Sequence, residues 1–283
     1  MKNSLKLEGV TCTFPARAGN AGYTAIADVS LDVLEGEFVA VVGPTGCGKS
    51  TLLNVAAGLL APTGGSATVF GEKLRDINAR AGYLFQNDAL MPWRTALQNV
   101  TVGLEFRGIA AKEARSRAAD WLRRVGLAAH GHKYPHELSG GMRKRVALAQ
   151  TLILDPKILL MDEPFSALDV QTRSLMENEL LNLWAQDRKS VVFVTHDLEE
   201  AISLSDRVVV MSAGPASRLI GEFAIDLPRP RDVSEIRLTP RFVELHRLIW
   251  QALRDEVKKA HATSPPALSP NGGEGAEKRP RPW

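Results

Sequence analysis

The pattern of apolar and polar positions divides the chain into strand-like and helix-like stretches. Leu5 to Thr13 and Ala25 to Val33 carry β-branched and alternating apolar residues and predict strands. Phe38 to Val42 (FVAVV) is a short continuous apolar run, which suits a strand buried on both faces of a parallel sheet. It stops at Gly43, and Lys49 to Leu60 then reads as a helix ending near Pro62. From Trp93 to Gln150 the pattern turns helical, with its clearest segments at Ala110 to Gly126 and Gly140 to Leu154. Ile158 to Met161 (ILLM) and Val191 to Val194 (VVFV) predict two more buried strands, separated by a helix over Thr172 to Gln186. Strand alternating with helix argues for a doubly wound α/β core. Val208 to Met211 and Leu219 to Phe223 flank Ala213-Gly214-Pro215 like the arms of a hairpin. Arg241 to Lys259 predicts an amphipathic helix with Phe242, Leu245, Ile249 and Leu253 on one face. The last stretch, His261 to Trp283, holds five prolines and little apolar content, and is expected to be disordered. No internal repeat is visible.

Composition changes this picture little. With 283 residues, 45% hydrophobic and 24% charged, the chain can build a sizeable core. The net charge of +3 is scattered, with no basic arm or stripe of the kind that neutralises many phosphates, so a nucleic-acid partner is not expected. Of the two cysteines, Cys12 and Cys47, the second sits where a disulfide would distort a glycine-rich loop; a reduced cytoplasmic setting follows. The N-terminus has no apolar segment ending in a cleavage site, and no stretch approaches the roughly 18 apolar residues of a spanning helix.

The chemistry begins at Gly43 to Thr51 (GPTGCGKST). It matches G-x-x-x-x-G-K-S/T through Gly43, Gly48, Lys49 and Ser50. The glycines let successive N–H groups of Gly43, Pro44, Thr45, Gly46, Cys47 and Gly48 curl toward an anion, proline alone lacking the donor. The helix that follows adds its positive end. Lys49 is expected to reach the β- and γ-phosphates of ATP, and Ser50 to offer its hydroxyl to Mg²⁺. A buried strand before and a helix after supply the context this loop needs.

ILLMDEP places two carboxylates at the C-terminal end of a buried strand, where ligands bind in open α/β sheets. Asp162 is expected to hold Mg²⁺ through water, and Glu163 to orient or deprotonate the attacking water. Their mutual repulsion makes a neighbouring cation reasonable. In LSGGM, Ser139 is an N-cap candidate while Gly140 and Gly141 expose backbone at the start of a helix. That is a second anion site with no phosphate left for it on its own chain. His130, His132, His136 and His246 lack ligand spacing and read as surface or packing residues.

These motifs, with Gln86 in YLFQNDALMPW, SALD at Ser166 to Asp169 and His196 in VTHDLEEA, resemble the ATPase subunits of ABC transporters in order and spacing. The resemblance covers about Leu5 to Phe223. It implies a P-loop NTPase with a RecA-like core, an antiparallel β sub-domain and an inserted α-helical sub-domain. The corresponding division is an ATPase domain over 1–225 (helical part about 88–155), a helical extension over 226–260 and a tail over 261–283. It also implies residue roles. Ser139, Gly140 and Gly141 would contact the γ-phosphate held by the other subunit of a head-to-tail dimer, a second copy or a paired relative. Gln86 would touch Mg²⁺ or the attacking water, His196 the γ-phosphate, and Asp169 would link the two sites. Phe14 is the choice for the aromatic against adenine, with Tyr23 as rival, and PARAGNAG between them looks like an insertion. Met142 stands where the family often has Gln; the nitrate, sulfonate and taurine importer group often has Met there, and Asn87 to Val100 and LPRPRD resemble that group too. The implied function is an importer motor on the cytoplasmic face of a membrane, coupled to permease subunits and, through them, to a solute-binding protein. A soluble ABC ATPase, an exporter motor and a nucleotide kinase are the alternatives.

Overall fold

The computed structural model describes residues 2–15 and 22–263, with side chains through residue 260. Most of the suspected insertion and the tail from 264 onward therefore lie outside the described residues.

Two sheets share the work. Strands β1 (Asn3–Phe14), β2 (Tyr23–Leu34), β4 (Gly64–Val69) and β5 (Glu72–Lys73) form an antiparallel sheet in the order β2-β1-β4-β5. Strands β3 (Phe38–Val42), β6 (Ala81–Leu84), β7 (Ile158–Asp162), β8 (Ser190–Thr195), β9 (Arg207–Met211) and β10 (Leu219–Ala224) form the second, ordered β10-β9-β3-β8-β7-β6. Five of these run parallel and β10 closes the edge antiparallel to β9. The continuous apolar runs sit where that architecture demands: every residue of β3 and β8 is buried.

Among the described residues, eight α-helices pack around them. α1 (Lys49–Ala56) ends one turn earlier than the sequence pattern suggests, because Gly58, at φ 71°, turns the chain toward Asn78. The long helical region resolves into α2 (Ala96–Phe106), α3 (Ala111–Arg124) and α4 (Gly140–Leu152). Thr95 and Gln98 cap α2 reciprocally, and the Ser139 hydroxyl accepts from the Met142 N–H to start α4. α5 (Val170–Asp187) is capped by Asp169, and α6 (Leu198–Leu204) by Asp197. α7 (Val233–Ile236) precedes α8 (Pro240–Thr263). Phe242, Leu245, Ile249 and Leu253 of α8 are all buried in the core shared with α6 and the β9–β10 pair. α8 continues through Thr263, so the first three residues of the expected tail are helical. The pattern in the sequence also passed over β4, β5 and β6, which are short or rich in Gly and charge.

Candidate active site

Sheet register brings the motifs to one edge. Val42 pairs with Thr195, Val194 with Asp162, and Met161 with Leu84, so β3, β8, β7 and β6 end level with one another. The chain leaving those ends carries the 43–51 loop, His196, Asp162 with Glu163, and Gln86. A cleft of about 460 Å³ opens there, lined by Phe14, Tyr23, Lys49, Ser50, Gln86, Glu163 and His196 among others. Phe14 and Tyr23 are direct cross-strand partners at its rim, 41% and 47% exposed. The two rival aromatics thus form one wall.

In the loop, Gly48 has φ 92°, and a Cβ there would lie 2.6 Å from the Ile26 side chain, so only glycine fits. Lys49 is 6% exposed and its ammonium donates to the carbonyls of Gly43 (2.8 Å) and Pro44 (3.0 Å). The cation is held by two backbone oxygens of its own loop. Cys47 is fully buried behind the loop, burial pushes its thiol up, and it is a free thiol like Cys12.

The Glu163 backbone sits in the left-handed region at φ 43°, an arrangement that costs on the order of 1 kcal/mol. The turn is held by the Glu163 N–H bonded to Val194 O (2.9 Å) and by Ser166 Oγ donating to Glu163 O (3.0 Å). It directs the carboxylate into the cleft, where His196 Nδ1 (3.0 Å) and Gln86 Nε2 (3.4 Å) both meet Glu163 Oε2. Two polar side chains from different strand ends converge on one oxygen. A water accepted by that oxygen would sit within reach of all three.

Asp162 is half-buried, and burial raises its pKa, opposed by hydrogen bonds from Ser50 and Tyr83. Among the described residues no cluster of three His, Cys, Asp or Glu side chains is arranged to hold a metal. The donor set at Ser50 and Asp162 is two hard oxygen ligands side by side, which suits Mg²⁺ shared with nucleotide phosphates and water, not an all-protein cage.

Ser139, Gly140 and Gly141 do not line this cleft. Ser139 is exposed at the start of α4, and Asp169 is exposed at the start of α5. The two helix starts are packed together: a Cβ on Gly141 would lie 2.6 Å from Thr172 Cγ2. α4 also grips the segment after β6. Arg143 and Lys144 each meet Asp88 at 3.0 Å, and Lys144 donates to the Gln86 carbonyl. Gln86 is therefore tethered to the helix that begins at Ser139.

Some site residues escaped the sequence reading. Tyr83 bonds Asp162 and stacks on Phe85 at 4.2 Å; period-2 alternation before Gln86 was the available signal. The His196 loop is held by a network with no local signature. Thr195 Oγ1 donates to the buried Glu200 (2.6 Å), the Asp197 N–H donates to Thr195 Oγ1 (3.0 Å), and Arg173 of α5 meets Asp197 (3.0 Å).

Comparison with known proteins agrees with this geometry. Residues 26–166 match the family described as ABC transporter. An uncharacterised ABC transporter ATP-binding protein of Methanocaldococcus jannaschii is 46% identical over 260 residues, 92% of this chain and 95% of that protein. The taurine import ATP-binding protein of Rhizobium johnstonii is 42% identical, over 87% and 94% of the two chains. The nitrate import ATP-binding protein NrtD of Synechococcus elongatus is 40% identical, over 85% and 88%. Among solved structures, a dimeric post-hydrolysis ATP-binding cassette bound to ADP and phosphate superposes with a TM-score of 0.70 at 33% identity, covering 79% of this chain and all of that one. A phosphate loop, a paired carboxylate and a histidine on one sheet edge, in a chain this similar along nearly its whole length, place the protein in the family of ABC transporter ATP-binding subunits, which bind and hydrolyse ATP.

Proposed function

We propose that this chain is the motor of an importer for a small solute of the nitrate, alkanesulfonate or taurine kind. Two copies, or one copy and a paired relative, close head to tail around two ATP molecules. The observation that carries the dimer is the split site: the cleft with Lys49, Glu163 and His196 is one half, and the helix start at the exposed Ser139, with Gly140 and Gly141, is an anion-binding feature that does not line it. Dimeric cassettes among the solved structures support the same arrangement.

In this reading the backbone of Gly43 to Thr51 cradles the phosphates and Lys49 moves from the Gly43 and Pro44 carbonyls to the β- and γ-phosphates. Phe14, with Tyr23 beside it, takes the adenine. Ser50 and Asp162 would hold Mg²⁺, with Gln86 near it, and charge neutralisation at the phosphates is what the cation would supply there. Glu163 accepts the proton of the attacking water. His196, released from Glu163 Oε2, donates to the γ-phosphate. Asp169 meets its counterpart region across the dimer. Glu163→Gln is expected to bind ATP, form a stable dimer by gel filtration, and hydrolyse at least 100-fold more slowly. Turnover near the wild-type rate would remove Glu163 from this role.

The membrane partner is proposed from a groove of about 830 Å³ between α2 and α3, bordered by Trp93, which is 72% exposed, with Arg94, Gln98 and Arg115. No described helix is long and apolar enough to cross a membrane. The chain would thus sit at the cytoplasmic face, docked on permease subunits that receive solute from a separate binding protein. Kinship to taurine and nitrate import proteins supports import over export. Detergent extracts should yield this chain with an integral membrane protein, and Trp93→Ala should weaken that recovery. Co-purification with RNA or ribosomes instead would overturn the importer reading.

A further inference from the structure

β9 lies beside β3 and ends against the phosphate loop. Val42 is in register with Val210, and a Cβ on Gly43 would come within 3.1 Å of the Met211 carbonyl oxygen. The turn that follows, 212–218, folds back on β2: Ala216 N–H donates to Thr24 O (2.7 Å), Ser217 N–H to Ala25 O (3.1 Å), and Ala27 N–H to Ser217 O (2.9 Å). At its tip, a Cβ on Gly214 would lie 3.3 Å from the Gly46 carbonyl oxygen and 3.5 Å from the Tyr23 hydroxyl. The turn therefore lies close beside both the phosphate loop and the aromatic rim of the cleft.

One side chain ties this turn to the far end of the sequence. Glu256, on the buried face of α8 and 8% exposed, accepts the Ala213 N–H at Oε2 (2.8 Å), while its Oε1 meets Lys259 at 2.5 Å. A carboxylate is costly to bury unless its oxygens are bonded, and here both are. ATP hydrolysis itself has no use for a carboxylate on this helix, which is outside the cleft.

We propose that Glu256 is a positioning residue for nucleotide binding. By gripping the Ala213 N–H it holds the 212–218 turn against Gly46 and Tyr23, so that the loop and the rim are shaped before ATP arrives. Affinity gained this way comes from ordering that is already complete in the free protein. Turnover depends on Glu163 and His196, which leave other strands, so the effect falls on KM and not on kcat.

The test is steady-state ATP hydrolysis by the full chain, with ATP affinity measured directly by equilibrium binding. With part of the worth of that hydrogen bond transmitted to the loop, KM and Kd rise about three- to tenfold for Glu256→Ala, with kcat within about twofold. Glu256→Gln keeps an oxygen that accepts from Ala213 N–H and should stay within about twofold of wild type. Glu256→Asp keeps the charge but is one methylene too short, and should follow the alanine variant. Lys259→Ala should leave KM unchanged. A wild-type KM in the alanine variant overturns the proposal, and so does a glutamine variant as impaired as alanine. If the alanine variant does not fold, the Gln and Asp variants decide alone: equal KM values in those two also overturn it.

Discussion

Replacing Arg231 with methionine removes a hydrogen-bonded tie between the C-terminal segment and the core. Arg231 is 8% exposed at the C-terminal end of α6, and its partners are carbonyl oxygens. Nη1 donates to Ser205 O (2.7 Å) and Ser203 O (3.1 Å), and Nη2 to Leu227 O (3.0 Å). Longer contacts at 3.4 Å reach the carbonyls of Ile202, Ile225 and Pro228. Burial lowers the guanidinium pKa to about 10, so the group is still charged at neutral pH. Methionine keeps much of the apolar stem but leaves three close carbonyls without their donor, at roughly 1–2 kcal/mol each. Relief of the guanidinium's desolvation offsets part of this, leaving a net loss of about 2–4 kcal/mol. Over a chain of this size that is a fall of about 5–10 °C in Tm. Urea unfolding of the full chain, checked for an unchanged m-value, measures it. Arg231→Lys should lose about half as much, because one ammonium cannot reach the carbonyls of α6 and Leu227 together. A methionine variant within about 0.5 kcal/mol of wild type would refute the reasoning, since the carbonyls would then be satisfied without Arg231.

Two further outcomes concern packing and charge inside the same core. Glu177 of α5 is fully buried, and burial raises its pKa to about 7 despite Arg237 at 3.0 Å. The folded protein thus keeps a proton that the unfolded chain gives up near pH 4.5, so this group's contribution falls as pH rises from about 4.5 to about 7 and is then level. Unfolding free energies of wild type and Glu177→Gln from urea titrations should diverge by about 2–3 kcal/mol between pH 5 and pH 8, in favour of the variant at the higher pH; parallel curves would discount the buried carboxylate. Gly141→Ala puts a methyl 2.6 Å from Thr172 Cγ2 and should separate the starts of α4 and α5, costing about 1–3 kcal/mol and reducing ATPase activity. Adding Thr172→Ser removes that methyl and should restore both; failure of the rescue would mean that the loss lies elsewhere.

Much of the site is legible in the chain because its parts are local. The 43–51 loop works through consecutive backbone N–H groups, and ILLMDEP is a buried strand followed at once by its acids, so each announces itself within a few residues. Buried strands β3, β7 and β8 are equally plain, since a parallel strand covered on both faces is apolar throughout. Strands β4 and β6 carry glycines and few β-branched residues, and partners distant in sequence hold them in place.

What the sequence determined by itself was which residue types are available for chemistry, and the α/β alternation that puts them at strand ends. The tertiary structure decided the rest. Parallel register across β6, β7, β8 and β3 brings Gln86 and His196 onto the single oxygen Glu163 Oε2, across separations of 77 and 33 residues. Antiparallel pairing of β1 with β2 sets Phe14 opposite Tyr23, and packing of α8 joins Glu256 to the turn beside Gly46. Such contacts depend on loop closure and on side chains meeting across elements, and neither follows from local spacing in a linear chain.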